Sequence, residues 1–309
     1  MLTSLAVGNK YVPLTDVIGS LMHPGHDYAD AVIASRIPRT LLGLLVGAAL
    51  AMAGAVMQAI TRNVLADPGL FGVNIGAAAA IVTGVAFFGL GSAATSVWVA
   101  LPGAFAAVVV VYLIGSGRGR ATPVRLVLAG VVVSAVVAAY IEAITLSLPK
   151  VFDAYRFWVI GSLAGRDPKL VLDILPLIIV GVLLALSLAG SLNALALGED
   201  TARALGAHVS RTRLLGAFAT TLLCAASTAA VGPIAFVGLA VPHIVRGVTG
   251  TDHRWMLLYC LVVGPSLLLA ADVIGRVVVS PAELMVGVVT AFVGTPVLVL
   301  AVRRMKADA

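Results

Sequence analysis

The chain has 309 residues, 61% of them hydrophobic and only 11% charged, with a mean hydropathy of +1.09. A soluble domain carries about 25% charged residues; 11% cannot clothe a globule of this length, so a soluble fold is excluded. The net charge of +6 does not point to nucleic acid either, because 16 of the 20 basic residues are arginines dispersed among apolar runs, with no basic stripe or tail.

Residues 1–39 hold no span. The opening MLTSLAVG reads as the tail of a helix rather than as a signal peptide, which needs a charged start and a longer apolar core. His23 and His26 flank Pro24-Gly25. The proline argues against a shared helix face and no third ligand is evident, so they read as loop histidines and no metal site is expected. A helix crossing the hydrocarbon needs about 20 apolar residues. Nine runs meet or approach this: 40–60, 71–90, 96–115, 123–148, 170–190, 214–231, 233–247, 256–275 and 284–302. The 32 glycines suit helices that pack closely without a hydrophobic force between them. Residues 150–169, with Tyr155, Phe157 and Trp158, read as an interfacial amphipathic stretch. Arg39-Thr40-Leu41-Leu42-Gly43 is echoed by Arg211–Gly216, a short match that leaves an internal repeat open.

Orientation follows from the loops. Arg118, Arg120 and Arg125 lie in one short loop without an acid, which places it in the cytoplasm. Alternating from there puts 12 basic residues inside and 8 outside, with the C-terminus inside. The chain is a multi-pass protein of the cell membrane.

Catalytic signatures are absent. There is no GxxxxGK[ST], HExxH or GxSxG, so the chain is expected to have no catalytic residue and no nucleotide site of its own. Cys224 and Cys260 sit in apolar runs and read as small buried hydrophobes. The polar stretch 191–213, SLNALALGEDTARALGAHVSRTR, is more informative. A short helix is expected over 199–205, with acids in its first turn, Gly206 at C′, and an apolar side from Leu195, Leu197, Ala202 and Leu205. By composition it is either an ordinary cytoplasmic loop or a helix that docks into another protein.

Gly198-Glu199-Asp200-Thr201-Ala202-Arg203-Ala204-Leu205-Gly206 resembles the GExxAxxLG coupling-helix motif of ATP-binding-cassette importer permeases, specifically the FecCD type that carries iron–siderophore complexes, haem or cobalamin. Further blocks resemble that family in the expected order: Arg36–Arg39 with Gly47-Ala48-Ala49-Leu50 and 54–58; 62–69, with Val64 where the family usually has Pro; Phe236-Val237-Gly238-Leu239 with Pro242, His243 and Arg246; Asp252-His253-Arg254; and Asp272, Arg276, Glu283, Gly287, Thr290 and Gly294-Thr295-Pro296.

The resemblance implies an all-α membrane helix bundle of the type II importer permease fold. It is one domain over 1–309, with 191–213 as its coupling region. Members usually have ten spans where nine are visible, which leads one to expect a further helix ahead of Met1. The implied cargo is an iron chelate, foremost a ferric siderophore, with haem or cobalamin as the alternative. An ion-coupled secondary transporter is a rival for which only Glu142 and Asp272 offer a relay. The implied partners are ATPase subunits, which hold ATP and Mg so that this chain needs no cofactor, an extracytoplasmic binding protein and a second permease subunit. Gly198, Glu199, Asp200, Ala202, Leu205 and Gly206 would couple to the ATPase. Arg36 and Arg276 would meet acidic residues of the binding protein, unless they merely snorkel at the membrane edge. Thr122, in a loop with Gly115, Gly117 and Gly119, would narrow a cytoplasmic gate. Glu142 and Gln58 are candidates for the pathway, each with a helix–helix hydrogen bond as the alternative, and Asn74 is similarly ambiguous. Asp272 is expected to pair with Arg276 one turn later, and His243 to be structural.

Overall fold

The computed structural model describes residues 1–8, 12–22, 28–90, 93–116 and 123–307. The fold is a helix bundle: α1 (Leu2–Ala6), α2 (Leu14–Met22), α3 (Tyr28–Thr61), α4 (Val73–Phe88), α5 (Ala93–Ser116), α6 (Pro123–Ser147), α7 (Pro149–Val159), α8 (Lys169–Ser187), α9 (Ala189–Ala196), α10 (Glu199–Ala204), α11 (Val209–Val231), α12 (Val237–Thr249), α13 (His253–Val278) and α14 (Val286–Ala307). Each of the nine apolar runs coincides with a helix, and the amphipathic stretch after the fourth forms α7. Six of these helices are long and apolar enough to cross a membrane, whereas Val73–Phe88, Val237–Thr249 and the apolar part Val286–Pro296 are shorter. Two of the short ones have late starts. A 3-10 turn at Pro68–Phe71 precedes the left-handed Gly72 that caps α4, and Phe236 (φ 70°) caps α12.

Helix α3 is the axis of the bundle. Its 34 residues extend about 51 Å at 1.5 Å per residue, and it packs on α8, α11, α12 and α13. The most apolar windows of α3 and α11 are each 78% buried, against 22% for α6, so the core lies around the first two and α6 faces outward. Close approach depends on glycine pairs: Gly54 with Gly238 where α3 meets α12, Gly47 with Gly264 where α3 meets α13, and Gly76 with Gly103 where α4 meets α5. A Cβ on Gly54 would run into the Gly238 carbonyl. Overpacking of this kind costs about 1–3 kcal/mol even when neighbours can move, and backbone moves less easily than a side chain. Gly54→Val is therefore expected to prevent recovery of monodisperse protein after detergent extraction. Wild-type yield and melting temperature would contradict the tight α3–α12 crossing.

Candidate functional site

At the end of the bundle where α3 finishes, α9 and α10 interrupt the transmembrane pattern. Gly198 (φ 110°) starts α10, and α10 ends in a Schellman arrangement: Gly206 N–H donates to Arg203 O at 3.0 Å and Ala207 N–H to Ala202 O at 2.9 Å, with Gly206 left-handed at φ 82°. This is the C′ position expected for Gly206. Ala202 is fully buried in a small cluster with Leu195 and Val209. The expected apolar side is split, however, because Leu197 and Leu205 are each 65% exposed. Two of its four members anchor the helix and two are left at its tip. Gly198, at φ 110°, breaks the helix between Leu197 and α10, while Leu195 of α9 still packs on Ala202.

Glu199 ties this tip to the bundle. Its Oε1 accepts from Arg213 Nη2 at 2.6 Å and its Oε2 from Arg203 Nη2 at 2.9 Å, while Arg203 Nη1 also reaches Asp200 at 2.8 Å. The hydrogen bond from Arg213, more than any other contact, holds the Glu199 carboxyl below the ordinary glutamate range. A depressed carboxyl pKa keeps its stabilising ties above that range, and they are lost as pH falls through the lowered value. Both ion pairs therefore persist at neutral pH. Next to them, Asn193 Nδ2 donates to Asp252 at 2.7 Å and its Oδ1 accepts the His253 backbone N–H at 2.8 Å, which fixes α9 to the start of α13.

The opposite end holds a buried ionic cluster. Arg39 spans two acids, with Nη2 2.8 Å from Asp272 and Nη1 2.7 Å from Glu283, and Arg276 Nη2 lies 3.1 Å from Asp272. The expected Asp272–Arg276 pair is thus present, but Arg39 is the stronger partner. Arg36 and Arg276 are not free outward charges as expected: they are 8% and 2% exposed. Backbone carbonyls near the N-terminus take up their donors. Arg36 Nη1 donates to Leu5 O at 2.6 Å, and Arg276 Nη1 donates to Ser4 O at 2.9 Å. A cavity of about 600 Å³ beside them is lined by Arg36, Arg39, Arg166, Arg276 and Glu283.

The chain matches the model of the FecCD transport family over residues 1–304. It belongs to that family. Among its relatives are the ferric enterobactin transport system permease protein FepD of Escherichia coli K12, 50% identical over 97% of this chain and 90% of that one, and the vitamin B12 import system permease protein BtuC of Klebsiella pneumoniae, 36% identical over 99% and 90%. A solved structure of an inward-facing, metal-chelate type ABC transporter superposes with a TM-score of 0.84 at 28% identity, covering 98% of this chain and 94% of the other.

Other expected positions in this FecCD-family chain fall differently. Gln58, a pathway candidate, is instead 3% exposed inside the bundle. Its Oε1 accepts from Arg246 Nη2 at 3.2 Å, the helix–helix contact that was the alternative. Asn74 likewise accepts from Thr228 at 2.8 Å, between α4 and α11. Glu142 is exposed on α6. Both cysteines are buried and unbridged. Thr122, Gly117, Gly119, His23 and His26 lie outside the described residues, and among those described no cluster of His, Cys, Asp or Glu could hold a metal ion. The two anchors that sequence reasoning missed are Arg39 and Arg213. Arg39 and Arg36 share a helix face, but the acid that engages Arg39 is 233 positions away, so no local signal exists. Arg213 follows Glu199 across the α10–α11 turn, and the nearness of opposite charges there was a readable hint.

Proposed function

We propose that this chain is the membrane permease of an ATP-driven importer that brings an iron chelate, foremost a ferric siderophore, into the cytoplasm. The observation that carries the cargo is the 50% identity, over nearly the full length, to the ferric enterobactin permease of Escherichia coli. What supports the coupling role is α10, a short helix clamped at its base and exposed at its tip. The cargo crosses chemically unchanged, so the chain needs no catalytic residue, and the energy comes from an ATPase subunit seated on Leu205 and its neighbours. At the far end, an extracytoplasmic binding protein delivers cargo next to Arg36, Arg39, Arg276 and Glu283. To reach Arg36 and Arg276 it must displace the backbone of residues 4–6.

A second permease subunit is supported by α6. Val124, Leu128, Val131, Val132 and Val136 are all exposed on it, and so is Glu142. Glu142 lies in the last turns of α6, which ends at Ser147, and a carboxylate exposed there is accommodated by protein or water rather than by lipid tails. The test is uptake of labelled ferric siderophore, haem and cobalamin by cells that lack this chain and by complemented cells, with co-purification of a P-loop ATPase. Selective loss and rescue of ferric siderophore uptake is expected. Rescue of cobalamin uptake alone would move the cargo to the vitamin, and rescue of none would refute the reading.

A further inference from the structure

Helix α10 packs on α9 and α11. Its tie to α11 is the Glu199–Arg213 pair. Its path to α13 runs through α9, by way of Leu195 against Ala202, and the polar link between α9 and α13 is built around one side chain, Asn193. Both ends of its amide are used. Nδ2 donates to Asp252 Oδ1 at 2.7 Å, and Oδ1 accepts from the His253 backbone N–H at 2.8 Å and from His253 Nδ1 at 2.9 Å. The hydrogen bond from Asn193 is the main reason the Asp252 carboxyl lies below the ordinary aspartate range, so it is ionised and can only accept. The amide nitrogen must therefore face Asp252. Its oxygen then faces His253, and the imidazole proton sits on Nδ1.

This joint exceeds what a helix cap requires. The first turn of a helix leaves N–H groups without partners, and Asp252, the N-cap of α13, already takes the Arg254 N–H at 2.9 Å. The His253 N–H is taken instead by a residue 60 positions away, on another helix. His253 itself is 6% exposed. Apolar contacts such as those of Leu192 hold α9 to the core, but they are non-directional. Three hydrogen bonds at fixed angles set the register of α9 on α13. Helix α13 then runs unbroken from this joint to Asp272 and Arg276, about 30 Å away at 1.5 Å per residue.

We propose that Asn193 is a positioning residue of transport: it keys α9, and through it α10, to the start of α13, so that movement taken up at α10 reaches the helix that carries Asp272 and Arg276. The proposal rests on the reading of the chain as an ATP-driven permease coupled through α10. Without the key, α10 still seats the ATPase but slips against α13. The full-length chain, assembled with its ATPase in proteoliposomes and supplied by its binding protein, reports ATP hydrolysis and uptake of labelled ferric enterobactin together. Asn193→Leu keeps the size of the side chain and removes its donor and its acceptor. It is expected to hold hydrolysis within about twofold of wild type while uptake per ATP falls about tenfold, inside the range of allosteric couplings. Asp252→Ser cuts the same joint from the other side, since serine still caps a helix but is too short to meet Asn193. If the two act through one contact, the double variant is no worse than Asn193→Leu alone, whereas independent effects multiply. Unchanged uptake per ATP in a folded Asn193→Leu protein overturns the proposal, and so do multiplying effects. A fall of hydrolysis and uptake in step with the melting temperature, in both single variants, makes Asn193 a residue of the fold only and overturns it as well. Amide hydrogen exchange of residues 189–204 gives a measure that needs no cargo, and it is expected to quicken in Asn193→Leu while α11 keeps its protection. If the wild type imports no chelate, the permease reading fails, and unchanged exchange in Asn193→Leu would refute the joint separately.

Discussion

Asp272→Ala is expected to destabilise the protein by about 3–5 kcal/mol, the range for breaking a buried ion pair by removing one partner. Asp272 is 1% exposed and Arg276 2%. The carboxylate accepts from Arg39 Nε at 3.0 Å and Nη2 at 2.8 Å, and it also faces Arg276 Nη2 at 3.1 Å. Without it the Arg39 and Arg276 guanidiniums face one another with no carboxylate between them. Arg39 keeps Glu283 and Arg276 keeps Ser4, but neither contact restores the lost charge balance at the α3–α13 crossing. The readout is the melting temperature and yield of detergent-purified protein, with Glu283→Gln as the internal comparison. The Glu283 side chain is 34% exposed, and a solvent-exposed pair is worth about 0–1 kcal/mol, so its loss should be small. If the two variants lose equal stability, burial of Asp272 is not what gives the cluster its strength.

The difference between the two ends of the bundle also explains what the sequence could disclose. Long apolar runs report helices because a membrane leaves the backbone no other way to satisfy its polar groups, and the expected runs found their helices. The errors lie where charged residues continue a helix. Helix α3 begins at Tyr28 rather than near residue 40, since Arg36 and Arg39 within its first turns are satisfied by residues 4–6 and by Asp272. Helix α11 likewise begins at Val209 and includes Arg211 and Arg213. Polarity placed these stretches outside the spans, and tertiary partners let the helix continue through them. Helix α10 was legible because its signals are local: acids at its start, a glycine at its end. For Gln58 the sequence left the pathway and a helix–helix contact both open, because the partner that draws it inward, Arg246, is 188 positions away.

Glu199→Lys tests the coupling role of α10 with the least damage to the fold. Glu199 is the hub of two ion pairs, to Arg203 within α10 and to Arg213 on α11, with its side chain 35% exposed. Pairs this exposed contribute less than about 1 kcal/mol each, and the buried contacts of Ala202 and the helix-ending hydrogen bonds remain. The variant is therefore expected to melt close to wild type. Its effect on transport should be far larger, because a lysine beside Arg203 and Arg213 repels where the carboxylate held, and α10 loses its fixed angle to α11. A helix that no longer moves as one body with the bundle cannot pass on ATPase movement, since packed interfaces switch between discrete arrangements rather than bending continuously. ATP-driven uptake in proteoliposomes is expected to fall about 5- to 150-fold, the span of a coupling free energy of about 1–3 kcal/mol. Leu205→Asp makes the complementary test, since Leu205 is exposed at the tip and takes no part in the Glu199 ties. Loss of uptake in both variants, with ATPase co-purification retained in Glu199→Lys and lost in Leu205→Asp, would separate the anchor of the helix from its contact surface. Wild-type uptake by a folded Glu199→Lys protein would remove α10 from the mechanism. A parallel collapse of melting temperature would instead show that Glu199 serves the fold and not the coupling.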